Sequence, residues 1–154
     1  MFVLGLPIPM RSIESLLTVT RIFAPLVTRL PFKWLYNDSI GQSGRTTKFE
    51  KYYQWATIIA GDCIYLKKYL PRDLKPGKII VTNTTTEDDV EIFRRAGAEY
   101  LITTTPVYDK RSFGTNVMEA VLVALSGKNR KLSDEEIEEL IFKIGLMPQI
   151  QKIN

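Results

Sequence analysis

Three short β-branched runs, each followed by helix-forming sequence, limit what this chain can fold into more than any other feature. They are Thr57-Ile58-Ile59-Ala60-Gly61-Asp62, Lys78-Ile79-Ile80-Val81-Thr82-Asn83 and Tyr100-Leu101-Ile102-Thr103-Thr104. The second is continuously apolar in its centre, as buried parallel strands are. A short helix is expected over roughly 64–69, stopped by Pro71. A second should begin at Thr86-Glu87-Asp88-Asp89, a capping-box-like sequence with Asp at its third position. Val90, Ile92, Phe93 and Ala96 supply its inner stripe, and Gly97 ends it. A loop over 106–114 then leads into a helix over about 115–125, closed by Gly127. This alternation predicts right-handed crossovers and a parallel sheet, so the fold class is α/β with three layers and flanking helices.

The flanking regions read differently. Ile13, Leu16, Leu17, Ile22, Phe23, Leu26, Val27 and Leu30 recur at helical spacing. Ser12 is placed to cap this helix, Pro31 to stop it, and Pro25 to kink or split it. Its apolar face is wide and needs a partner surface, either the rest of the domain or a second subunit. A homo-oligomer is therefore expected. Phe32 to Tyr36 forms an aromatic cluster, and 37–48 reads as an exposed loop. Trp34 and Trp55 read as core or interface anchors. At the other end, Ser133 and Glu136 form a capping box for a helix closed by Gly145, and 147–154 can pair as an edge strand. Residues 1–154 are thus expected to form one domain, with 1–48 a helix-and-loop segment, 49–126 the βαβαβα unit and 127–154 a helix and tail.

Composition excludes several chemistries. The chain has 154 residues, 45% hydrophobic and 25% charged, which suits a folded core rather than disorder. Its single cysteine, Cys63, cannot form an internal disulfide, and a reducing cytoplasm is the simplest home. Beside a strand end it reads as a packing residue before a nucleophile. There is no histidine, so a Ser-His-Asp triad, a Cys-His pair and a histidine-ligated zinc are impossible within the chain. No metal is expected. The net charge of +4 is spread along the sequence and interleaved with no nucleic-acid motif. Lys67, Lys68 and Lys110 have no evident partner and read as surface. No run approaches the ~20 apolar residues of a membrane span, and 1–9 lacks the basic start and cleavage site of a secretory signal. Neither a nucleic acid nor a membrane is expected as a partner.

Ligands of open parallel sheets bind outside the carboxyl ends of the strands. Here those ends are Gly61-Asp62, Thr82-Asn83-Thr84-Thr85-Thr86 and Thr103-Thr104-Thr105-Pro106. Their hydroxyls and amide suit sugar hydroxyls, phosphates or carboxylates. Threonine is also simply a good strand and cap residue. Arg111-Ser112-Phe113-Gly114-Thr115-Asn116 is the sharper feature. A glycine loop that opens a helix offers free N–H groups to an anion, and Arg111 adds a cation. The same residues also read as an ordinary cap built by Asn116 and Glu119. The candidate cofactor- or anion-binding residues are therefore Asp62, Thr82, Asn83, Thr84, Thr103, Thr104, Thr105, Arg111, Gly114, Thr115 and Asn116. Asp62 is a ligand for a hydroxyl, a base, or the cap of the next helix. No catalytic residue is assigned. The expected partner is a small-molecule anion or a nucleotide. No G-x-G-x-x-G and no P-loop lysine motif is present.

Leu4-Gly5-Leu6-Pro7-Ile8-Pro9, Ile58 to Asp62, Ile80 to Val90, Tyr100 to Pro106 and Arg111 to Ala120 together carry a resemblance. Over nearly its whole length the chain resembles the carboxyl-terminal half of the Firmicutes quinate 5-dehydrogenase, or shikimate-dehydrogenase-like, family. The resemblance implies a Rossmann-like sheet, NAD or NADP as cofactor and a small hydroxy acid as substrate. It also implies that the first βαβ of a full dinucleotide fold, with its glycine turn, precedes Met1, so that hydride transfer belongs to a longer form. The alternative is a non-catalytic metabolite-binding or self-assembly module.

Overall fold

The structure, a computed structural model, describes residues 12–29 and 49–154. The chain divides into two compact units, Met1–Arg45 and Thr46–Asn154. The Phe32–Tyr36 cluster with Trp34, the 37–48 loop, Leu30, the Pro31 stop and the Leu4–Pro9 motif lie outside the described residues.

In the first unit, α1 spans Ile13–Val27. Ser12 caps it, accepting from the Ser15 N–H at 3.2 Å while Ser15 Oγ reaches back to the cap. The expected split at Pro25 does not occur. Pro25 lies in the last turn, where its missing N–H removes a single helical bond just before the helix ends.

The second unit contains α2 (Glu50–Trp55), β1 (Ile58–Ala60), α3 (Cys63–Tyr69), β2 (Ile79–Thr82), α4 (Glu87–Arg95) and β3 (Tyr100–Thr103). There follow β4 (Val107–Tyr108), β5 (Arg111–Ser112), α5 (Thr115–Ser126), α6 (Asp134–Ile144) and β6 (Gln149–Lys152). The main sheet has the order β1-β2-β3-β6, with the first three strands parallel and β6 antiparallel to β3. The sheet is therefore mixed rather than wholly parallel. The reason is the helical pair α5–α6, which packs together across a short connection. Such a pair returns the chain to the end of β3 from which it left, so the next strand runs backwards, with Gln149 beside Thr103.

Consecutive right-handed crossovers put α3 and α4 on the same face of the sheet. That face carries Ile59, Ile80, Thr82, Leu101 and Thr103, all buried, over Phe93, Leu66 and Cys63. Burial is also what pushes the Cys63 thiol up to about 12, with the Asp89 carboxylate adding to it. The thiol is a protonated packing group, not a nucleophile. The opposite face is more open, with Ile58 and Ile150 exposed. Trp55 is 84% exposed, so it is no core anchor. At the amino ends of the strands, buried Lys78 donates to the Gln54 and Ala56 carbonyls, 2.7 Å each, and so satisfies the end of α2. After α4, Gly97 adopts φ +91, and a Cβ there would meet the Leu74 carbonyl at 3.1 Å. This is a turn that only glycine makes without strain.

Candidate functional site

The carboxyl ends of β1, β2 and β3 lie side by side, because the strands are parallel and in register. Their threonines split into two groups. Thr82 Oγ1 donates to the Gly61 carbonyl at 2.8 Å and ties β2 to β1. Thr105 Oγ1 donates to the Phe113 carbonyl at 2.6 Å. Thr85 and Ser112 exchange three hydrogen bonds of 2.7–3.0 Å through their hydroxyls and main chains. Thr86 caps α4 with Asp89 in a full capping box. These residues are fixtures of the rim, and four of them, Thr82, Thr85, Thr105 and Ser112, are buried. Thr103 is also buried, at 1% exposure, and its hydroxyl has no partner among the described residues.

The segment expected as a loop over 106–114 holds a small hairpin, β4–β5, closed by Asp109 and Lys110 at φ +45 and +62. Both residues have the left-handed backbone of a two-residue primed turn, without the glycine that usually signals one. The Thr85–Ser112 and Thr105–Phe113 bonds clamp this hairpin to the ends of β2 and β3. The clamp sets where Gly114 starts α5. Gly114, not Asn116, is the N-cap, and no side chain caps the helix. Asn116 is the second helical residue, with Oδ1 accepting from the Val117 N–H at 3.0 Å. The Thr115 and Asn116 N–H groups have no acceptor among the described residues.

Two further features converge on Gly114. A Cβ there would lie 2.7 Å from Asn116 Oδ1 and 3.3 Å from Thr84 Oγ1, so the missing side chain leaves a niche between β2 and α5. Thr84 has φ +51. A β-branched residue in that region is strained by about 1–2 kcal/mol. Asn83, Thr84, Thr104, Gly114, Thr115 and Asn116 are partly or fully exposed, as are Asp62, Thr86 and Arg111. Asp62 is the N-cap of α3, with its carboxylate accepting from the Ile64 N–H at 3.0 Å, so capping accounts for it. Arg111 is exposed in β5 opposite Tyr108, and its side chain makes no hydrogen bond or ion pair among the described residues.

Two lysines expected to be free are paired. Lys110 reaches Glu87 at 3.0 Å across the hairpin. Lys67 pairs with Asp89 and joins α3 to α4. Burial works to raise the Asp89 pKa, but hydrogen bonds from Lys67 and Thr86 outweigh it and hold it below the ordinary 3.8. The basic cluster at 128–131 is partly neutralised in the same way. Lys128 and Arg130 both bind Glu136. The Lys67–Asp89 and Lys110–Glu87 pairs join residues 22 and 23 positions apart, which no local pattern announces.

Fold and rim together define a mixed α/β domain with a hydroxyl-lined sheet edge. No helix among the described residues is long and apolar enough to cross a membrane, and no acidic, Cys or His group among them is arranged to hold a metal. The chain belongs to the family described as a domain of unknown function, DUF8754, whose model matches residues 1–153. No curated protein and no solved structure matches it.

Proposed function

We propose that this domain is a three-layer, Rossmann-like unit related to the quinate and shikimate dehydrogenases. It binds a nucleotide cofactor, NAD or NADP, or a small hydroxy acid at the carboxyl ends of β1–β3. The strand order supports the reading. Three consecutive parallel strands with both crossovers on one face form the pattern of the second half of a doubly wound sheet. The observation that carries the proposal is Thr84. A strained β-branched residue persists only where its surroundings over-determine it, and such residues cluster at ligand sites. Its hydroxyl meets the Gly114 niche, where the free N–H groups of Thr115 and Asn116 and the positive end of α5 favour an anion.

The residues present fit one anionic group of such a ligand, held by the Thr115 and Asn116 N–H groups and the Thr84 hydroxyl. Arg111 adds a long-range positive charge. A nicotinamide cofactor, when bound, supplies a hydride acceptor; this chain's residues supply binding and orientation. Full dinucleotide binding also needs a glycine turn for the pyrophosphate, which the sequence does not contain.

Thermal unfolding with millimolar NAD, NADP, quinate and shikimate tests the proposal. A ligand at about ten times its Kd should raise the midpoint by roughly 4 °C. Thr84→Gly should abolish that rise without lowering the midpoint of the free protein. An unchanged midpoint with all four ligands would overturn the reading.

A further inference from the structure

A pocket of about 240 Å³ lies between α5 and α6 and reaches the carboxyl end of β3. Met118 and Leu122 of α5 and Ile137 and Ile141 of α6 form its interior. Each pair is spaced i, i+4, so each helix presents one apolar stripe to the cleft. The polar residues are Thr104, Thr105, Thr115 and Glu119, and the Thr105 hydroxyl already donates to the Phe113 carbonyl. Glu119 is the only charged side chain in the lining, and it forms no ion pair among the described residues. A cavity of about 150 Å³ takes a benzene ring, so this one holds a ring or short alkyl chain with a small head group.

We propose that the pocket binds a small amine, with its hydrocarbon body between the helices and its ammonium group at Glu119. Threonine hydroxyls accept hydrogen bonds as well as donate them, so Thr104 and Thr115 can take the remaining ammonium protons. A carboxylate-bearing ligand of the same shape meets no cation in the lining and is repelled by Glu119. The preference is opposite in sign to that of the Gly114 niche. The two sites adjoin at Thr115, whose N–H faces the niche and whose hydroxyl lines this pocket, but Glu119 belongs to this pocket alone, so a change there tests it without testing the niche.

The test uses the full chain, with methyl-detected NMR titrations of benzylamine, benzyl alcohol and benzoate. Benzylamine should shift the Met118, Leu122, Ile137 and Ile141 methyls, and bind about two- to fivefold more tightly than benzyl alcohol, as one surface-accessible charge pair allows. Benzoate should bind more weakly than either. Glu119→Gln, which removes the charge and keeps the shape, should remove the preference for the amine over the alcohol. Shifts confined to other methyls, benzoate binding as well as benzylamine, or an amine preference that survives Glu119→Gln would each overturn the proposal.

Discussion

The ends of β2 and β3 carry nearly the same residues, Thr82-Asn83-Thr84-Thr85 and Thr103-Thr104-Thr105, yet they do different work. At β2, Thr82 bonds to its neighbour strand, Thr84 bends into the left-handed region and Thr85 grips the hairpin. At β3, Thr103 is sealed in with no partner among the described residues, and Thr105 holds Phe113. Thr82 and Thr103 even sit opposite each other in the ladder. A hydroxyl at a strand end therefore has no fixed meaning. What it does depends on which acceptor the neighbouring segment brings within reach: the Gly61 carbonyl meets Thr82, and no acceptor among the described residues meets Thr103.

That asymmetry can be broken from behind β2, where the effect should be largest. Asp89 holds the Thr86 cap and the Lys67 ammonium together. Asp89→Asn should cost about 2 kcal/mol at pH 7, the loss of a charge-assisted hydrogen-bond set whose cation is still a quarter exposed. The sign with pH follows from the depressed carboxyl. Its contribution is complete above the ordinary value of 3.8 and is lost as the pH falls through the lower folded value. Urea unfolding at pH 7 and pH 3 should show the gap between wild type and Asp89→Asn shrinking at the lower pH. A gap of equal size at both would mean that the pair adds nothing beyond packing.

The hairpin clamp comes next. Ser112→Ala removes the partner of the Thr85 N–H and hydroxyl, leaving both buried and unsatisfied. The cost should be about 1–2 kcal/mol. The Thr85→Val change made together with Ser112→Ala should cost less than the two single changes added, because the orphaned hydroxyl is then gone. Additive costs would show that the two side chains do not act as one clasp. Hydrogen exchange at the hairpin amides should quicken in step with the loss.

Much of the fold was legible because its signals are local. Thr86 with Asp89 and Ser133 with Glu136 are caps written within four residues, and both form as expected. The three strands and their helices follow from spacing alone. The hairpin was not legible, since Asp109 and Lys110 take positive φ without a glycine or asparagine to announce it. The Lys67–Asp89 and Lys110–Glu87 pairs were not legible either. They depend on α3 meeting α4, and on the hairpin folding back over α4. At the rim, sequence located the cluster but could not separate its members. Thr82, Thr105 and Asp62 spend their polar atoms on the protein's own backbone, while Thr84 does not.

The smallest predicted effect sharpens the comparison most, because it sets two ladder partners against each other. Thr82→Val deletes a bond to the Gly61 carbonyl and should cost about 1 kcal/mol. Thr103→Val puts a methyl where a buried hydroxyl now has no partner. A hydroxyl desolvated without compensation is itself unfavourable by about 1–3 kcal/mol, so the valine should be neutral or stabilising by up to about 1 kcal/mol. The two substitutions have the same shape, sit in the same sheet and face the same side, so packing differences largely cancel between them. Chemical denaturation of both variants under one condition then reads the hydrogen bond alone. Equal costs at the two positions would mean that Thr103 has an acceptor in solution, such as an ordered water. The two strand ends would then be alike in energy, and only Thr84 would still distinguish them.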